Sequence, residues 1–303
     1  MRPAKIPTQE LMTSGHLACQ GCGATQAMRF ALKALGPKTA LVIPACCWSV
    51  IDGPFPHTSL KVPIFHTAFE AAASTASGLK AGLERRGDTE TVVMAWAGDG
   101  GTFDIGIQAL SGAAERNEDL IYCCYDNEAY MNTGIQRSSS TPVGAWTTTT
   151  PVKHYKKRPK KKIIDIMAAH SIPYIATASV AYPQDLIEKF RKAREIKGTR
   201  FIHVFAPCPT GWKLAPELSV AMARQAVTSK IFPLLEITDN GRNWKVWKDF
   251  IPTSVSDYIK AQGRFRHLGD EEIERIQEEV ERSWRELVAR ERLSMELPGL
   301  GGE

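Results

Sequence analysis

The sequence predicts an α/β protein with a mostly parallel sheet and helices on both faces, and three observations carry that expectation. Short apolar, β-branched runs read as buried strands, longer segments of helical composition separate them, and no internal repeat breaks the alternation. Strands spaced by helices pair in parallel and are covered on both sides. The bulk numbers agree: 303 residues, 43% hydrophobic and 23% charged, suit one large α/β domain or two small ones. They exclude a disordered, collagenous or disulfide-stapled chain.

In chain order, a helix over Ala24 to Leu35 leads to a strand at Ala40 to Ile43, and a helix over Ala68 to Arg85 to a strand at Thr91 to Ala97. A helix over Asp104 to Arg116 precedes the strand Leu120 to Tyr125. After an interruption come a helix at Ile163 to His170, a strand at Tyr174 to Thr177, a helix at Gln184 to Lys197 and a strand at Arg200 to Phe205. The interruption runs from Thr133 to Thr150, rich in Ser, Thr, Pro and Gly, and on through the basic run Lys156 to Lys162. It is too long for a connector and is expected to cover a site or a partner. The basic run itself reads as a solvated loop, with docking of an acidic partner or of coenzyme A phosphates as its functional option.

Beyond Ile237 the composition shifts to a hairpin-like piece at Asn240-Gly241 and then to an amphipathic helix over Asp270 to Leu293. Its apolar face is Ile273, Ile276, Val280, Trp284 and Leu287, with Asp270 to Glu272 at its positive end and Arg290 and Arg292 at the other. The expected division is a domain at 1–237 and a C-terminal arm at 238–303, packed on the domain or on another subunit. No apolar run has the ~20 residues of a membrane helix, Met1 to Gly21 is too polar for a signal peptide, and a net charge of +5 is too small to imply nucleic acid. A cytoplasmic protein is expected.

Seven cysteines, at 19, 22, 46, 47, 123, 124 and 208, point in a reducing compartment to metal ligation plus buried thiols. Cys19 and Cys22 form a Cys-x-x-Cys pair that serves zinc as readily as iron-sulfur. Cys47 follows the strand ending at Ile43, and Cys208 follows the strand ending at Phe205. Four thiolates from three loops on one sheet edge fit a [4Fe-4S] cube. Cys46 is expected to point elsewhere, and Cys123 and Cys124, inside a strand, to be core thiols.

The same edge carries a second pattern. The strand Thr91 to Ala97 runs into Gly98-Asp99-Gly100-Gly101-Thr102, where backbone N–H groups and a following helix start suit a diphosphate and Asp99 suits a divalent cation. The next strand ends in Asp126-Asn127-Glu128-Ala129. An octahedral Mg²⁺ needs a carboxylate, a side-chain carbonyl and a backbone carbonyl from neighbouring loops, and Asp99, Asn127 and the Ala129 oxygen supply them. Gly-Asp-Gly followed after 28 residues by Asn resembles the signature of thiamine diphosphate enzymes, although that signature usually ends in two asparagines and Asp126 stands at the first of them here.

Together with Tyr130-Met131-Asn132-Thr133-Gly134-Ile135-Gln136 and Ala206-Pro207-Cys208-Pro209, these motifs resemble the β subunits of 2-oxoacid:ferredoxin oxidoreductases, the pyruvate enzymes in particular. The likeness runs from about Leu17 to the segment Gln262 to Leu268. It implies the thiamine diphosphate-binding fold, with Cys19, Cys22, Cys47 and Cys208 on a [4Fe-4S] cluster, Asp99, Asn127 and Ala129 on Mg²⁺, and Gly98, Gly100, Gly101, Thr102 and Thr133 beside the cofactor. Asn132 would face the substrate as the catalytic residue, its amide suited to a developing oxyanion. His66 and Glu70, in a stretch similar to one near the cofactor in this family, and Asp104, steadying the diphosphate loop or capping its helix, are weaker candidates.

The implied reaction is oxidative decarboxylation of a 2-oxoacid, by default pyruvate with coenzyme A as acyl acceptor and ferredoxin as electron acceptor. Oxalate and 2-oxoglutarate are alternative substrates within the same machinery, and a non-oxidative thiamine enzyme with a structural zinc is the rival outside it. The Glu that thiamine needs against its pyrimidine ring is expected from an α-type subunit across an interface, with further clusters on a ferredoxin-like subunit.

Overall fold

The structure, a computed structural model, describes residues 6–296; the outermost parts of the expected N-terminal stretch and C-terminal arm, 1–5 and 297–303, lie outside the described residues. One eight-stranded sheet organises the chain: β1 (Thr39–Pro44), β2 (Ile64–Thr67), β3 (Val92–Gly98), β4 (Leu120–Asp126), β5 (Tyr174–Ser179), β6 (Thr199–Phe205), β7 (Leu235–Thr238) and β8 (Asn243–Val246). Their order is β2-β1-β3-β4-β6-β5-β7-β8. The first six run parallel, and β7 and β8 add an antiparallel hairpin beside β5.

Helices α1 (Gly23–Leu35), α2 (Trp48–Ile51), α3 (Ala72–Arg85), α4 (Ile107–Glu115), α5 (Ile163–Ala169), α6 (Pro183–Glu195), α7 (Pro209–Trp212), α8 (Ser219–Thr228), α9 (Val255–Lys260) and α10 (Asp270–Glu296) cover it. Strand alternation divides the core into two layers. Trp96, Cys123 and Tyr125 pack with α1, α6, α8 and α9 on one face. Ala97, Tyr122 and Cys124 pack with α3, α4 and α5 on the other, joined by Trp284 and Leu287 of α10. The adjacent thiols Cys123 and Cys124 therefore enter opposite layers, both fully buried, as core residues.

The expected strands are all present. Strand β2 went unread because it is an edge strand of which Phe65 and His66 are exposed, so it lacks the apolar run of a buried strand. The helix expected from Asp104 begins earlier, as a π-helical turn over Gly100–Ile105 that α4 continues. The 237/238 division falls within the β7–β8 hairpin, so the later residues return to the same sheet. Helix α10 packs back on β8, where buried Glu291 accepts the Val246 N–H at 2.8 Å. Among the described residues no helix is long and apolar enough to cross a membrane.

The basic run needs correction. Lys156 is buried and donates to the backbone oxygens of Ser139 and Thr141, Lys160 pairs with Glu128, and Lys161 donates to the Phe103 carbonyl. Only Lys157, Arg158 and Lys162 keep the exposure expected of a solvated loop. A charge run signals solvation by default, but these ammonium groups find carbonyls and a buried carboxylate that no local pattern reveals.

The topology picks out one place. Strand β1 continues outward to β2 whereas β3 continues inward to β4, so the crevice beyond the carboxyl ends of β1 and β3 is the switch point at which doubly wound sheets bind ligands. Cys47 follows β1 and Asp99 follows β3.

Candidate active site and cysteine cluster

Asp99 caps the π-helical turn and is 1% exposed. The Ser138 hydroxyl donates to its Oδ2, while burial and the negative charge of Asp126 push its carboxyl well above the usual range. Across the β3–β4 crevice the terminal amide of Asn127 faces Asp99 Oδ1 and the Ala129 carbonyl at 3.0 and 2.9 Å. With the amide oxygen turned inward, three oxygens converge with no donor between them; swapping the amide would let its nitrogen donate to both. Adjacent ligands of an octahedron with metal–oxygen bonds of about 2.1 Å lie roughly 3 Å apart, so these spacings are those of a cation's first shell. A divalent cation would also relieve the buried negative charge that raises Asp99.

The chain reaches this geometry through a strained turn. Glu128 has φ of +69°, a conformation costly for a side chain with a Cβ, and it turns Asn127 and the Ala129 oxygen to the same side. Its buried carboxylate is held between Arg264 and Lys160, its N–H donates to Asp126 Oδ1 at 2.8 Å, and its carbonyl accepts from Thr141 at 2.7 Å. Arg264, fully buried, lies 4.0 Å over the Trp212 ring, whose Nε1 donates to the Asn127 carbonyl at 2.8 Å. Asp126 turns away from the oxygen triad toward His203, at 2.8 Å, and Ser140. Burial opposes its ionisation, but the charge of Lys160 and the His203 contact prevail and hold its carboxyl at about 2.

The remaining expected cofactor residues share this rim. Gly98 closes β3, and the buried Thr102 hydroxyl donates back to the Gly98 carbonyl at 2.8 Å. A Cβ on Gly100 would stand 2.0 Å from the Tyr130 ring, so only glycine fits there. The Tyr130 hydroxyl donates to Asp104 at 2.7 Å, and Asp104 also accepts from the Ser139 N–H and hydroxyl, tying the 126–139 loop to the turn after β3. Gly101 is approached by the Phe69 ring. Asn132 and Thr133 are exposed at the tip of a loop closed by the Tyr130–Gln136 bridge, and the Thr133 hydroxyl donates to Gln136. His66 rests on Asp52 at 2.9 Å, and Asp52, buried with its Oδ1 unpartnered, is a residue the sequence did not single out. Glu70 is exposed beside the same turn.

The loops carrying the four cysteines converge: Cys22, Cys47 and Cys208 are partly buried within reach of one another's charge, and Cys19, exposed, lies within charge reach of Cys22 and Cys208. Cys22 caps the positive end of α1, and Cys47 and Cys208 precede α2 and α7. The Gly23 N–H donates to the Pro207 carbonyl at 3.0 Å, and a Cβ on Gly23 would stand 2.7 Å from the Pro207 nitrogen, so this glycine lets the Cys22 and Cys208 loops close on one another. Burial raises the Cys22 thiol and raises Cys208 to about 11. It also raises Cys47 strongly, with further repulsion from Cys46, Cys208 and Cys22. Thiols held protonated first by burial and then by one another's charge ionise readily only on a metal. Among the described residues no three His, Cys, Asp or Glu gather at the spacing of a single metal ion. Cys46 faces Tyr125 instead.

Asn127 joins the two halves. Its amide oxygen belongs to the oxygen triad, and its Nδ2 lies 4.0 Å from Cys47 Sγ.

Comparison with known proteins identifies the family. The family described as thiamine pyrophosphate enzyme, C-terminal TPP binding domain, matches residues 50–204. A ketoisovalerate oxidoreductase subunit VorB of Pyrococcus furiosus is 51% identical over 295 residues, covering 93% of this chain and 94% of the relative. A pyruvate synthase subunit PorB of Methanothermobacter marburgensis is 50% identical over 288 residues, covering 93% and 99%. A solved 2-oxoglutarate:ferredoxin oxidoreductase of Magnetococcus marinus shares the fold at a TM-score of 0.58 and 22% identity, over 73% of this chain and 82% of that one. The chain belongs to the thiamine diphosphate-dependent 2-oxoacid:ferredoxin oxidoreductases, as a β subunit of such a multi-subunit enzyme.

Proposed function

We propose that this subunit holds Mg²⁺-bound thiamine diphosphate and a proximal [4Fe-4S] cluster side by side and carries out the decarboxylating and first electron-accepting steps on a 2-oxoacid. The single observation behind this reading is Asn127, which touches the oxygen triad with one end of its amide and approaches Cys47 with the other. Thiamine diphosphate, when bound, would supply the electron sink for the carbon left by decarboxylation, and a cluster on these thiols would supply one-electron acceptance.

The chain's own residues do the rest. Asp99, Asn127 and the Ala129 carbonyl hold the cation that neutralises the diphosphate, and the turn from Gly98 to Thr102 lets backbone approach it. Cys19, Cys22, Cys47 and Cys208 hold the cluster. The zinc of the rival reading would leave the protein colourless, whereas a cluster absorbs near ~400 nm. Asn132, exposed beside the site, would donate to the substrate oxyanion, and the 133–162 loop, pinned by Lys156, Lys160 and Lys161, would exclude water from one side.

An α-type subunit would bring the pyrimidine-side Glu, a ferredoxin-like subunit the further clusters, and ferredoxin and coenzyme A the final acceptors. Pyruvate is the default substrate; 3-methyl-2-oxobutanoate is its rival, because relatives named for each are 50% and 51% identical to this chain. Assaying the anaerobically purified complex on a panel of 2-oxoacids, with and without coenzyme A, tests the reading. Coenzyme A-dependent reduction of a low-potential acceptor is expected with pyruvate highest; activity in the isolated subunit, or none with any 2-oxoacid, would overturn it.

A further inference from the structure

We propose a second ligand site on this subunit: the cleft at the amino ends of the central strands, on the opposite edge of the sheet from Asp99, binds a small phosphate-bearing anion. The cleft encloses about 330 Å³ and takes Lys38, Lys80, Arg194, Lys197 and Arg200 into its wall. Three carboxylates, Glu90, Asp119 and Glu195, share that wall and leave two positive charges in excess.

The decisive group is Lys80. It is 5% exposed, yet its ammonium has only distant oxygens, those of Thr89, Glu84 and Asp119, each 3.4 Å away. Other buried lysines of this chain are held properly: Lys33 lies 2.8 Å from the Pro7 carbonyl, and Lys189 lies 2.8 Å from Thr177 O and 2.7 Å from Asp185. Contacts of this length pair the ammonium only loosely, and a buried charge gains from a closer acceptor.

Neither carboxylate beside it holds it closely: Glu84 is half exposed, and Asp119 has other cations to serve. Asp119 is already shared by Lys197 at 3.2 Å and by Arg200, whose side chain is 3% exposed. Arg194, exposed at the mouth, lies within charge reach of Glu90. Asp119 thus faces three cations, of which Glu84 helps only Lys80, while Lys38 is paired with Glu90 and Arg194 stands at the mouth, an arrangement that an anion with several acceptor oxygens completes. The volume admits a phosphate, a diphosphate or a phosphorylated small molecule and is too small for a peptide segment or a polymer. Nothing in this cleft serves the reading of the Asp99 rim, and the two stand or fall separately.

The test uses the assembled complex saturated with thiamine diphosphate and Mg²⁺, so that the rim is filled, titrated calorimetrically with inorganic phosphate and with pyrophosphate at constant ionic strength. Saturable binding of one anion per subunit is expected, weakened at least ~10-fold by Arg194→Glu, a surface change, and by Lys80→Met, with 2-oxoacid turnover of Arg194→Glu unchanged. No saturable binding up to ~10 mM, equal affinity in wild type and Arg194→Glu, or equal competition by chloride would overturn the proposal.

Discussion

The oxygen triad and the four cysteines lie along one rim, and the chain builds them to different degrees. The Asn127 amide already stands at the spacing of a cation ligand from both Asp99 and the Ala129 carbonyl, because two adjacent strands of one rigid sheet and an over-determined turn fix them. The cysteines come from three loops and stop short of a single ion's spacing, within reach of one another's charge. A preorganised oxygen site binds its cation with little rearrangement, whereas thiols that repel each other when ionised draw their order from what they bind. The difference teaches which half of the site is scaffold and which half is completed by its ligand.

Breaking the cysteine half is expected to have the largest effect. Cys208→Ala or Cys47→Ser should lower the iron content of the complex by one cluster per β subunit, with a matching fall in absorbance near ~400 nm, and abolish its acceptor reduction while thiamine diphosphate still binds with Mg²⁺; loss of both together would show that the halves are not separable.

The scaffold half is tested next through its support. Arg264→Met leaves Glu128 buried with Lys160 alone and should cost about 3–5 kcal/mol of stability, read by denaturant unfolding, with cofactor affinity falling in step. Asp99→Asn removes the carboxylate of the triad without touching a cysteine. It should weaken Mg²⁺-dependent thiamine diphosphate binding on the order of 100-fold, about 2.7 kcal/mol, with iron and sulfide content unchanged. Gly23→Ala should act in the reverse sense: a Cβ 2.7 Å from Pro207 forces the Cys22 and Cys208 loops apart, lowering iron content but sparing cofactor binding.

The smallest effect is electrostatic. The Asp126 carboxyl is held at about 2, below the ~3.9 of an unfolded chain, so its contribution is fully present above about pH 4 and is lost as pH falls through about 2. His203→Gln removes one of the contacts that lower it and should flatten the acid limb of the stability curve over that window by about 1 kcal/mol. An unchanged limb would remove His203 from the turn's support.

Much of this was legible in the sequence where local pattern suffices. The apolar runs mark the buried strands, and Gly-Asp-Gly with Asn127 and the four cysteines announce themselves by residue type and by position after strands. What was not legible depends on distant partners. Arg264 meets Glu128 across 136 positions, and nothing near either residue announces the pair. Lys156, Lys160 and Lys161 read as a solvated run until the carbonyls and carboxylate they reach are in place. Asp52 behind His66 has no local signature, and β2 is too exposed to resemble a strand. The π-helical turn after Asp99 has glycines that fit a plain strand-to-helix turn equally well.

The most direct test is a single turnover without external acceptor: 2-oxoacid and coenzyme A are added to the anaerobic complex and the visible spectrum is followed. Partial bleaching near ~400 nm is expected in wild type, and none in Asp99→Asn, which keeps its iron, or in Cys47→Ser. Bleaching that persists undiminished in Cys47→Ser would mean that the electrons leave by another route and would contradict a cluster on these four thiols.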